Sequence, residues 1–224
     1  MSRTVMRRHT IAILAAALLA PMSGAHAAPP NPVGTYRMGG HDVASELVLT
    51  RDGKFTYFLA AGSLDEQAAG TWSIEGSTLH LVTLPKPVAA VFAAGKRTQT
   101  KLSPLIVHVV APNGQGIAAV DLQVGFDSGE PAEGYTQDYG WSLPEGEKRI
   151  PRWVEFTLPI YALKSQRFAI TDLEGGNELT FVLTPNDLGR IDFATIPIDV
   201  APDRLTMHRW GNFAVFERAH GAVR

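Results

Sequence analysis

Ser45-Glu-Leu-Val-Leu-Thr-Arg-Asp-Gly-Lys-Phe-Thr-Tyr-Phe-Leu59 decides the fold class. Leu47 and Leu49 alternate with polar or outward positions, the period of a half-buried strand. Asp52-Gly53 supplies the positive φ that a tight hairpin turn needs. Lys54 to Leu59 then returns as a second strand. Before it, Gly34-Thr-Tyr-Arg37 begins a strand. After it, Ala61 to Gln67 reads as a loop and Ala69-Gly-Thr-Trp-Ser-Ile74 as a strand. Glu75-Gly-Ser77 turns the chain into Thr78-Leu-His-Leu-Val-Thr83. The segment is an antiparallel meander.

Gly34-Thr-Tyr36, the hairpin around Asp52-Gly53, Gly70-Thr-Trp72 and Leu79-His-Leu81 carry a resemblance. Over residues 33–98 the chain resembles lipocalin-like small β modules of exported bacterial proteins. The resemblance implies a sheet opened by one Gly-x-Tyr strand and closed over its core by a Gly-x-Trp strand. The meander is too short for a full eight-stranded, ligand-holding barrel, so a meander or small partial barrel is expected.

The second half restarts at Leu105-Ile-Val-His-Val-Val110, followed by an Asn113-Gly114 turn. In Ile117 to Phe126, residues Val120, Leu122, Val124 and Phe126 alternate strictly. Gly134 to Leu143 reads as strand, turn and strand, with Thr136, Gly140 and Trp141 at its centre. Residues 105–143 thereby resemble a prealbumin-like sandwich, as in carboxypeptidase-regulatory and transthyretin-type domains. Trp153 to Leu158, Arg167 to Ile170 and Leu179 to Leu183 read as strands, and Asn186 to Ile191 has room for one helical turn. Leu205 to Trp210, a Gly-Asn turn and Phe213 to Arg218 make a terminal hairpin.

The expected fold is mainly β: an N-terminal antiparallel meander or small partial barrel, then a C-terminal β-sandwich. The polar, basic run Lys96-Arg-Thr-Gln-Thr-Lys101 marks the expected boundary. The division is a signal peptide over 1–27, a lipocalin-like module over 28–98 and a prealbumin-like module over 99–224.

Arg3, Arg7 and Arg8, the apolar run Ile11–Ala20 and Ala25-His-Ala27 have the three-part form of a cleavable secretory signal. Cleavage is expected after Ala27, leaving a periplasmic or secreted protein. The apolar run is about half of the roughly 20 residues that a membrane span requires, so no membrane span is expected after cleavage. Beyond residue 27 the chain holds 17 Lys and Arg against 22 Asp and Glu. That acidic balance excludes a nucleic-acid partner, which needs a basic face. The chain has no cysteine, so thiol catalysis, thiolate zinc sites and lipoprotein acylation are excluded.

No nucleophile elbow, phosphate loop or dinucleotide fingerprint occurs. His41, His80, His108, His208 and His220 lack the spacing that puts two imidazoles on one metal. No catalytic residue, metal site or cofactor is expected. One mixed cluster stands out: Tyr135, Asp138, Tyr139, Trp141, Arg152 and Trp153. Aromatic rings beside charged groups make a sugar- or peptide-binding face. Buried sandwich core explains the two tryptophans more simply. The expected function is a non-enzymatic interaction or structural role with a protein partner. The alternative is a binding module for a small apolar ligand or glycan.

Overall fold

The computed structural model describes residues 31–170, 175–209 and 211–219. The expected signal peptide lies outside the described residues. The protein is mainly β, and among the described residues there is no α-helix, only a 3₁₀ turn at Pro159–Tyr161.

The opening hairpins form as their turn residues dictate. β1 (Gly34–Gly40), β2 (Val43–Leu49), β3 (Lys54–Ala61), β4 (Leu64–Glu75) and β5 (Thr78–Thr83) pair in sequence. The region read as a loop after Ala61 is mostly strand: the turn is short, and β4 begins at Leu64. The five-stranded meander forms as expected and is then completed from far along the chain. Three strands from the far end of the chain, β15 (Ile198–Ala201), β16 (Arg204–Arg209) and β17 (Asn212–Arg218), complete a closed eight-stranded barrel. Leu79 faces Ile198 at one seam and Tyr36 faces Arg218 at the other. Closure removes the free edges that five strands alone would leave.

The expected boundary at 98/99 therefore does not follow the sheets. The second module lies between β5 and β15, and residues 198–209 and 211–218 belong to the barrel. The inserted module is a sandwich. One sheet has the order β10 (Trp141–Ser142), β7 (Ile106–Val110), β14 (Glu178–Thr184), β6 (Val91–Thr98). The other has β12 (Leu163–Lys164), β11 (Pro151–Leu158), β8 (Asp121–Phe126), β9 (Ala132–Tyr135), with β13 (Phe168–Ala169) also on β11. The basic run taken for a linker is partly strand, because Val91–Thr98 pairs along β14. Asn186 to Ile191 holds turns and no helix. The alternation through Val120, Leu122 and Val124 is buried as expected, although the paired strand starts at Asp121.

Each module has its own core. In the barrel, Tyr36, Leu47, Phe55, Tyr57, Leu59, Leu81, Leu205, Met207 and Phe216 fill the interior. In the sandwich, Leu105, Val107, Val120, Val124, Val154, Phe156, Leu179 and Phe181 meet between the sheets. The returning connection stitches the modules together. Where β5 stops at Thr83, the amide of Gln67 donates to the Gly189 carbonyl (2.9 Å), and Ile191 donates back to Gln67 (3.0 Å). The Thr83 hydroxyl donates to the Ile191 carbonyl at 2.7 Å. Phe193 then enters the barrel, edge-on to Phe55 (5.7 Å) and Tyr57 (5.0 Å).

Candidate functional site

The six residues of the aromatic cluster do not share one face. Trp141, on β10, packs against the sandwich core and occupies the space over Gly134 of β9. A Cβ on Gly134 would point to the side of its register partner Leu122, which is core. Trp153 alternates with core residue Val154 and so lies on the opposite, outer face of the same sheet. There the indole covers Gly125, its register partner, while the Arg167 guanidinium sits 4.1 Å from the ring centroid. Tyr139 is 76% exposed in the Gln137–Gly140 turn, where the Asp138 carboxylate accepts its own neighbour's amide at 2.9 Å. Arg152 is exposed on β11. Tyr135 is exposed at the end of edge strand β9.

The structure does bring Tyr135 and Trp153 to one sheet face. Register puts Tyr135, Asp121, Thr157 and Lys164 in one row, and Glu133, Gln123 and Glu155 in the next. Around them is an open concavity of about 520 Å³ that Trp153 does not line. Its polar groups are largely engaged with one another. Lys164 meets the buried Glu155 carboxylate at 2.9 Å, Arg167 meets it at 3.4 Å, and Gln123 donates to Glu133 at 2.9 Å. Held between Gly125 and Arg167, Trp153 presents no open ring face for a sugar.

A second cavity, of about 430 Å³, lies where the barrel meets the sandwich. Val88, Ile160, Leu163 and Leu188 contribute apolar wall, and Glu66 and Arg209 reach it from the barrel. Glu66 was expected in a solvated loop. Instead it is buried, because Leu64, Glu66 and Ala68 share the inward face of β4. Arg209 meets it with two nitrogens, at 2.5 and 2.9 Å. A buried carboxylate needs such a partner. Beside the pair, burial pushes the Tyr57 hydroxyl up to about 12, and the Glu66 charge adds to the rise. That two-residue alternation was the one legible signal for Glu66; nothing local marked Arg209 as its partner.

Among the described residues, two histidines are hydrogen-bonded to carboxylates: His108 to Glu178 at 2.9 Å, and His208 to Asp199 at 2.7 Å. Each is a cross-strand contact on an outer sheet face. Thr98 also donates to Glu178 (2.8 Å), and these two hydrogen bonds hold the Glu178 carboxyl below its ordinary range. Among the described residues, no hydroxyl is hydrogen-bonded to either imidazole. No group of three His, Asp or Glu among the described residues could hold a metal. Among them, too, no helix is long and apolar enough to cross a membrane.

The remaining feature is a strand edge. β6 runs for eight residues at the border of its sheet, and every residue but Phe92 is exposed. Compared with protein-family models, with curated proteins and with solved structures, the chain matches none.

Proposed function

We propose that this is an exported, non-enzymatic β protein that works by binding a protein partner on its outer surface. One observation carries the reading: the barrel interior is occupied by the protein's own side chains. Phe193 packs on Phe55 and Tyr57 inside it, and the Glu66–Arg209 pair lies toward one end. A small barrel whose interior is filled is a scaffold, whereas a carrier leaves a cavity for its ligand. The lipocalin-like and prealbumin-like resemblances then describe how the modules are built. Export follows the three-part N-terminal pattern, and the exported chain should begin at Ala28.

The alternative, a binder of a small apolar ligand, is favoured by the cavity between the modules. One experiment separates the two readings. The protein is isolated from its own export compartment and measured intact by native mass spectrometry, with photo-crosslinking on the exposed sheet faces. The proposal expects the bare mature mass and a discrete crosslinked protein. A stoichiometric small molecule, displaced by bulky substitution of Ile160 or Leu188, would overturn it.

A further inference from the structure

Barrel closure leaves every free strand edge in the sandwich. Among the described residues, three of the four edges are short: β9 has four residues, β10 has two, and β12 and β13, which share one side of β11, have two each. Short edges template little pairing. The fourth, β6, offers eight residues and a row of backbone donors and acceptors that β14 does not use. From Val91 to Ala94 its register is regular, and irregularity begins only toward Lys96 and Arg97.

The edge also has a chemical direction. At its start stand Val88 and Val91, 59% and 50% exposed. At its end stand Lys96 and Arg97, with Lys101 just beyond. No Asp or Glu occurs between Glu75 and Asp121. Glu178, across from Thr98, already accepts from Thr98 and His108. Among the described residues, Lys96 and Lys101 form no ion pair. Two copies of this edge pairing antiparallel would set the cationic end of each against the apolar start of the other, leaving Lys96 with no acid opposite it. A strand carrying acids supplies the favourable cross-strand pairing.

We propose that β6 is the docking edge and that its occupant is an extended segment of a partner protein. The segment adds antiparallel to β6, with acidic residues in its first half toward Lys96 and Lys101 and apolar residues in its second half opposite Val91. This inference rests on the partner-binding reading above.

The test uses the mature chain and a labelled octapeptide, with Glu in its first half and Val in its second. Two controls accompany it: one with Lys in place of Glu, and one with alternate backbone nitrogens methylated. The acidic peptide should bind saturably and slow amide exchange across residues 91–98. N-methylation removes the edge hydrogen bonds and should weaken binding by about tenfold or more. Lys96→Glu together with Lys101→Glu should reverse the preference between the Glu and Lys peptides. Equal binding of the methylated peptide would show charge adhesion alone and overturn the proposal. So would exchange protection of β6 that grows with protein concentration in the absence of peptide, which marks a second copy. Absence of binding by any peptide overturns the edge assignment alone; the broader reading falls only if crosslinking finds no partner.

Discussion

Trp153 occupies the space over Gly125, its register partner on the adjacent strand, and Arg167 covers the indole at 4.1 Å. An added Cβ at position 125 would collide with the indole ring. Gly125→Val should therefore expel Trp153 and cost about 1–3 kcal/mol. Denaturant unfolding measures the loss, and a red shift in tryptophan emission reports the expelled ring. Unchanged emission with unchanged stability would contradict the packing.

Glu66 and Arg209 should be costly to separate and cheap to remove together. Arg209→Met alone strands a buried carboxylate and should destabilise by about 3–5 kcal/mol. Glu66→Leu combined with Arg209→Met should recover most of that loss. Urea midpoints for the wild type, both single variants and the double variant form the cycle that measures the coupling.

Trp141 and Tyr139 are two residues apart and unequal in burial. Trp141→Ala removes a ring packed on the sandwich core and should cost about 3 kcal/mol. Tyr139→Ala removes a ring standing in solvent and should stay within about 0.5 kcal/mol. Equal thermal shifts for the two variants would refute the assignment.

Glu147 accepts the Arg149 side chain at 2.7 and 3.0 Å and the Arg149 amide at 2.9 Å. The side-chain bond first, then the backbone bond, lowers its pKa to about 2. The folded value lies below the unfolded one. The stabilisation is thus present above the unfolded value and lost as pH falls toward about 2. Carboxyl carbon shifts followed by NMR from neutral pH downward should find Glu147 among the last groups to protonate. Glu147→Gln should flatten the acid limb of the stability profile.

Residues 28–98 expressed alone should not fold. They contain five of the eight barrel strands and leave β1 and β5 without their neighbours β17 and β15. The fragment also lacks Phe193, so the interior at Phe55 and Tyr57 stays open. Circular dichroism should show little ordered sheet, and co-expressing a fragment covering β15–β17 should rescue it only where the strands find each other. A cooperatively folding 28–98 fragment would sink the prediction.

Local residue pattern places most strands and sets which way their residues face. Leu47, Leu49, Leu79 and Leu81 alternate, and the turns at Asp52-Gly53 and Gly211 reverse the chain between neighbours. These signals act over a few residues, so they are written locally. Tertiary structure alone decided which strands share a sheet. The terminal hairpin carries the same two-residue period whether it joins a sandwich or a barrel, and only the unpaired edges of β1 and β5 select between them. The same limit hid the sites. Glu66 meets Arg209 across 143 residues, and Trp141 and Trp153 fall on opposite faces because of the sheets they join. The end of β6, from Lys96 on, passed for a domain boundary because an edge strand exposed on almost every residue has no buried face to impose a period.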